Sequence, residues 1–233
     1  MFCCSSRFIH LVTNIFLSTL LLFNVILSNI YANDLGGTNN NNKLITAVEN
    51  NDVATIRKLS QDLNCNVNSK NEHSLSALMI AAYHGRIEII KELAGFANID
   101  VNLQNKAGFT ALMSATQEGQ IGAIKELSKI PNFDVNFQNK YGDTALKIAT
   151  VIGDVEVIKT LLDFPNINVN LQGKEDSFTA LMYATQEGNI GAIKELAKIK
   201  GVNHKLKNKS GKTALDIAKD EKTRECLKKV FDF

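Results

Sequence analysis

The chain has no tryptophan, two prolines (Pro131 and Pro165) and no acidic residue before Asp34. Its four histidines, His10, His73, His84 and His204, do not cluster with cysteine or carboxylate at metal-ligand spacing, so no metal-binding motif is present. A glycine-rich phosphate loop is missing as well. The nearest approach, Ser210-Gly211-Lys212-Thr213, lacks the upstream glycine and follows no strand. No serine or cysteine sits in a nucleophile elbow. These absences remove the recognisable enzyme classes, and the chain reads as non-catalytic and without a cofactor. An excess of one charge is also lacking. A net charge of +2 over 233 residues gives no reason to expect nucleic acid as a partner. Asparagine, in contrast, is plentiful, and its abundance reads as the codon bias of an AT-rich genome rather than as chemistry.

The scarcity of charge at the start is itself informative. Arg7 is the only charged side chain before Asp34, and residues 11–30 are mostly Leu, Ile, Phe and Val. A basic start, an apolar core and a small residue, Ala32, at a cleavable position describe a secretory signal peptide over residues 1–32. The competing reading is an uncleaved membrane anchor at 11–30, because about 20 apolar residues suffice to span a bilayer. Either way the chain is expected to be exported, to the periplasm or beyond the cell. Residues 33–42, with Gly36, Gly37 and consecutive asparagines, read as a flexible linker.

The remainder repeats. Asn64-Cys65-Asn66-Val67-Asn68 returns 34 residues later as Asn98-Ile99-Asp100-Val101-Asn102. It returns again as Asn132-Phe133-Asp134-Val135-Asn136 and Asn166-Ile167-Asn168-Val169-Asn170, with a worn copy at Gly201-Val202-Asn203-His204-Lys205. A second landmark, Ser or Thr followed by Ala-Leu, starts at Ser76, Thr110, Thr144, Thr179 and Thr213. Residues 109–130 and 178–199 differ at three positions, as expected of a duplicated two-repeat block.

Each unit reads as two short helices. The Ser or Thr is an N-cap. Ala81, Ala115, Ala149, Ala184 and Ala218 take one fixed helical position, where a small side chain lets neighbours approach. Gly85, Gly119, Gly153 and Gly188 end the first helix, and Asn51 replaces them in the first unit. Ile87, Ile90 and Leu93 mark the buried side of a second helix. That helix is expected to end at Asn64, Asn98, Asn132, Asn166 and Gly201 with φ above zero. Two short helices cannot bury their own apolar face, so the units must stack between polar caps. Several repeats then separate Cys65 from Cys226, too far for a disulfide, and both read as half-buried apolar residues.

The pattern Gly-x-Thr-Ala-Leu-x-x-Ala, then Gly, then a second helix ending in Asp/Asn-Val-Asn, resembles the ankyrin repeat over residues 43–230. With its leader, the chain is similar to the ankyrin proteins of intracellular bacteria. The resemblance implies an all-α solenoid of stacked helix-turn-helix units with β-turn or hairpin tips. Its domain would run 43–233: an N-cap at 43–70, repeats near 71–105, 106–139, 140–173 and 174–208, and a C-cap at 209–233. The sequence departs from the family where Pro becomes Ala throughout and His becomes Met79, Met113, Lys147, Met182 or Asp216. That loss takes away residues on which the family's usual polar bonding between repeats relies, and implies modest stability. The turn glycine, present as Gly108, Gly142 and Gly211, is Ser74 and Ser177 elsewhere, with Gly173 inserted nearby.

The resemblance also implies a monomer that binds a protein partner on its concave side, through turn tips and first helices. The matching positions are Leu75, Phe109, Tyr141 and Phe178 on tips, and Tyr83, His84, Gln117, Glu118, Val151, Ile152, Gln186 and Glu187 on helices. Phe109, Tyr141 and Phe178 are read as equivalent tip positions forming a protein-binding hot spot with Val151 and Ile152. Lys198, Lys200, Lys205, Lys207, Lys209 and Lys212, with no acidic residue among them, form an electrostatic rim. Two other settings share the same binding physics: a secreted effector acting on host-cell proteins, and a membrane-tethered adaptor using the lysine tip.

Overall fold

The computed structural model describes residues 40–62 and 65–231. The leader, linker residues 33–39 and Asn64 lie outside the described residues. Among the described residues there are twelve α-helices and no strand. They form six pairs: α1 (Asn40–Glu49) with α2 (Val53–Leu59), α3 (Ala77–Tyr83) with α4 (Ile87–Ala94), and α5 (Ala111–Gln117) with α6 (Ile121–Leu127). Then come α7 (Ala145–Ile152) with α8 (Val155–Leu162), α9 (Ala180–Gln186) with α10 (Ile190–Ala197), and α11 (Ala214–Ile217) with α12 (Glu221–Val230). First helices pack on first helices of the next pair and second on second, which is the expected solenoid.

The local reasons are those of the sequence. The side chains of Ser76, Thr110, Thr144, Thr179 and Thr213 each accept from a backbone N–H three residues on. Gly85, Gly119, Gly153, Gly188 and Asn51 all have positive φ. Ala81, Ala115, Ala149 and Ala184 are completely buried, so a larger side chain would push adjacent first helices apart.

Several expectations need correction. Helix α1 begins at Asn40, inside the segment read as linker. Asn40 Nδ2 donates to Asp62 Oδ2, and Asn41 Oδ1 accepts from Asn66 N–H, anchoring the start. The second helices stop at Leu59, Ala94, Leu127, Leu162 and Ala197, short of the repeating asparagines. Of the described asparagines at that place only Asn132 has positive φ, joined by Gly201. Within α4 it is Ile89, Ile90 and Leu93 that are buried, while Ile87 is 37% exposed. Ile87 instead lies over the next second helix, where a Cβ on Gly122 would stand 2.6 Å from Ile87 Cδ1.

Polar bonding between repeats is present despite the missing Pro and His, and asparagine supplies much of it. Asn68, Asn102, Asn136 and Asn170 each use both ends of the amide on the next repeat. Their Nδ2 groups donate to the carbonyls of Asn98, Asn132, Asn166 and Gly201 at 2.6–2.8 Å. Their Oδ1 atoms accept from the N–H groups of Asp100, Asp134, Asn168 and Asn203. A second ladder runs beside it: Lys70 Nζ donates to Gln104 O, Gln104 Nε2 to Gln138 O, Gln138 Nε2 to Gln172 O and Gln172 Nε2 to Lys207 O. The asparagines therefore have chemical work that a codon-bias reading misses. Lys147, where other repeats carry Met, is buried, and its Nζ donates to the Gly142 carbonyl at 2.7 Å.

Candidate functional site

Successive pairs are joined by hairpin-like turns, termed fingers. In four of them one asparagine sets the turn. Asn71, Asn105, Asn139 and Asn208 each accept, through Oδ1, from the N–H groups two and four residues later. Their own N–H donates to the carbonyl of Leu75, Phe109, Asp143 or Lys212 and closes the turn. The residue before that closing position has positive φ: Ser74, Gly108, Gly142, Ser177 and Gly211. The geometry is that of a type I turn followed by a left-handed residue. In the fourth finger Gly173 takes the asparagine's place, its N–H donating to Phe178 O, so the extra residue falls between Lys174 and Ser177. Asp176 supplies a side-chain acceptor there instead. Its Oδ1 accepts from Phe178 N–H and its Oδ2 from the Tyr183 hydroxyl.

This register changes the reading of the aromatic tips. Phe109 and Phe178 share the position of Leu75, Asp143 and Lys212. Tyr141 stands two residues earlier, with His73, Ala107 and Ser210, so the three aromatics are not equivalent. Leu75, Phe109 and Phe178 are half-buried against the core, and the Phe178 ring lies 5.2 Å from that of Tyr183. Phe109 and Phe178 are therefore packing residues at least in part. The fingers stack through their backbones: Lys140 N–H donates to Ala107 O, Lys174 N–H to Tyr141 O and Lys209 N–H to Asp176 O.

The predicted helix residues do come together at the ends of the first helices. Tyr83, Gln117, Val151 and Gln186 are half-buried, and His84, Glu118, Ile152 and Glu187 follow them as an exposed row. Ile152 is 46% exposed. It sits in the row between Glu118 and Glu187, whose carboxylates are approached by Gln117 and Gln186 of their own helices. The His84 ring meets Tyr83 edge-on at 5.1 Å, and partial desolvation of its imidazole there, with the nearby Arg86 guanidinium second, holds it below the usual histidine range. The row is an apolar centre with carboxylates on both sides, held on rigid caps.

The six lysines read as a rim are all exposed and fall in two places. Lys198 pairs with Glu195 at 2.7 Å on α10, and Lys200 is exposed in the loop after it. Lys205, Lys207, Lys209 and Lys212 are exposed together on the last finger. The Ser210–Thr213 run is that finger's turn and helix cap: Thr213 and Asp216 form a capping box at the start of α11. Cys65 and Cys226 are both free and half-buried. Sequence reasoning missed a shallow cavity of about 540 Å³ between the loops after α6 and α8, where Phe133 and Phe164 rings lie 5.5 Å apart. Among the described residues no cluster of three or more His, Cys, Asp or Glu is placed to hold a metal ion, and no helix is long and apolar enough to cross a membrane.

Comparison with known proteins agrees with this architecture. The crystal structure of EF0377, an ankyrin repeat protein, superposes with a TM-score of 0.69 at 26% identity, covering 80% of this chain and 94% of that one. No curated protein matches the chain by sequence. The family model for ankyrin repeats (3 copies) matches residues 14–105, 44–137, 78–173 and 122–208. The chain belongs to the ankyrin repeat family, whose members are interaction scaffolds.

Proposed function

We propose that this protein is an exported scaffold that binds a protein partner through the face formed by its fingers and first helices. The observation that carries the reading is the row His84, Glu118, Ile152 and Glu187. It presents an exposed isoleucine, 46% accessible, on a platform whose neighbouring large hydrophobics are nearly all covered. With half-buried Val151 before it on α7 and half-buried Tyr83 ending α3, the face offers aliphatic and aromatic surface beside carboxylates, the mix on which protein interfaces are built. Tyr141 on its finger and Tyr83 at the end of α3 extend the face. Export rests on Arg7 and the apolar run at 11–30. The partner would lie in the periplasm, outside the cell or in a host.

Affinity capture with residues 40–233 tests the binding face. Proteins retained by the natural sequence are expected to be lost with Ile152→Asp combined with Tyr83→Ala, and kept with Lys125→Glu on the outer helix α6. Retention by the face variant, with its melting temperature unchanged, overturns the reading. A reporter fusion active on only one side of the membrane tests export separately.

A further inference from the structure

The last finger departs from the others at the two positions that bridge repeats. Where Asn68, Asn102, Asn136 and Asn170 stand, this finger has Lys205. Where Gln104, Gln138 and Gln172 stand, it has Lys207. Those side chains all reach forward, to the repeat that comes next in the stack, and among the described residues no finger lies beyond this one. Among the described residues nothing covers its forward side. A Cβ on Gly108 or Gly142 would stand 2.6 or 2.5 Å from the backbone nitrogen of the next finger, whereas one on Gly211 would meet nothing within 4 Å. The finger-to-finger series of acceptors, Ala107, Tyr141 and Asp176, would continue at the Ser210 carbonyl.

The exchange of amide for ammonium states what this edge can receive. An amide offers one donor and one acceptor, and so matches a backbone carbonyl and N–H together. Lysine offers donors and positive charge only. The protein itself shows how lysine works at this position: Lys70, in the first finger, occupies the place of Lys207 and donates through Nζ to the Gln104 carbonyl of the next finger at 2.6 Å. Exposure alternates along residues 203–209, so that Lys205, Lys207 and Lys209 are exposed while His204, Leu206 and Asn208 are turned partly inward. The His204 ring lies 5.1 Å from that of Phe231, which fixes the finger from behind. Lysines on a bare edge also keep a second copy of the chain from stacking there. The same charges attract a segment that supplies acceptors.

We propose that this edge is a docking site for an extended, acidic segment of a partner protein. Its carboxylates and main-chain carbonyls would accept from Lys205 and Lys207 as Gln104 accepts from Lys70, and Lys209 and Lys212 would add rim charge. This is lateral pairing of an extended segment with the side of the last finger, as successive fingers pair with one another, selected by charge. It is separate from the first-helix face and does not depend on it.

The test uses a fluorescent synthetic peptide of alternating Glu and Val with residues 40–233. Binding is expected to weaken with salt, and to weaken about tenfold with Lys205→Asn plus Lys207→Gln, which installs the residues that other repeats carry. The same replacements at the far end, Lys43→Asn with Lys58→Gln, and Ile152→Asp on the first-helix face are expected to leave it unchanged. Backbone amide resonances of 205–212 should shift on titration, which locates the site without any substitution. Absence of peptide binding overturns the proposal. So does an equal loss in the far-end variant, a loss with Ile152→Asp, or binding to phosphatidylserine vesicles or a single-stranded oligonucleotide as tight as to the peptide.

Discussion

Ser74 and Ser177 hold φ of 62° and 56°, the left-handed region where a Cβ crowds the following carbonyl oxygen. Their counterparts Gly108, Gly142 and Gly211 meet the same turn without that cost. Ser74→Gly and Ser177→Gly are each expected to stabilise by about 0.5–1 kcal/mol, read as a higher urea midpoint at unchanged slope. Gly142→Ala should do the opposite, by about 1–3 kcal/mol, because its Cβ would also collide with Lys174 N. His84 contributes a pH dependence. Its folded-state proton affinity is depressed, by partial desolvation first and Arg86 second. As pH falls, the unfolded chain therefore takes up the proton before the folded one, and stability is lost from about pH 6.5 downward. His84→Gln should flatten the melting temperature between about pH 7 and 5 relative to the natural sequence. Identical profiles would show that the ring titrates freely.

Between elements, the bidentate asparagines are the components most open to test. Asn136 joins its repeat to the next through Asn166 O at 2.7 Å and Asn168 N–H at 2.7 Å. Asn136→Ala removes both bonds and is expected to cost about 1–2 kcal/mol, since the groups it leaves can partly return to water. Asn136→Asp should cost no less, because a carboxylate keeps the acceptor but faces the Asn166 carbonyl without a donor. Equal stability of either variant in urea would mean that this asparagine bridge adds nothing net to the joint between repeats. These bridges mark the limit of what the sequence reveals. Caps, the small alanine and the helix-ending glycines are legible because each acts within one helix, at a spacing fixed by the chain. The amide ladders act across 30–35 residues, between groups whose alignment only the stacked structure sets. Tyr141 groups with Phe109 and Phe178 in the sequence because all three are aromatic. The Asn139 turn shows that it stands two residues out of step. The exposed row ending the first helices is legible from the family resemblance, and Ile152 is in it. The lysines of the last finger are legible as charge, but not as replacements for bridging amides.

At the scale of the molecule, stability depends on what closes the stack. The final pair packs α11 on α9 and α12 on α10. Of α12's ten residues only Thr223 and Leu227 are buried, so this helix turns one narrow face inward and a charged one to water. Phe231 folds back on His204 and seals the pair. The buried residues of α9 and α10 include Leu181, Met182, Ile193 and Leu196, and among the described residues no other element lies beyond them to take the place of the final pair. In a quasi-one-dimensional stack each interface contributes to the stability of its neighbours, and an apolar end left bare invites association. Removing residues 209–233 from a chain of 40–233 is therefore expected to lower the melting temperature and to produce aggregates in light scattering. The effect has a direction along the stack: hydrogen exchange in the truncated chain should accelerate most in α9 and α10 and least in α3 and α4. A truncated protein that stays monomeric with an unchanged melting temperature would show that α11 and α12 do not cap the solenoid.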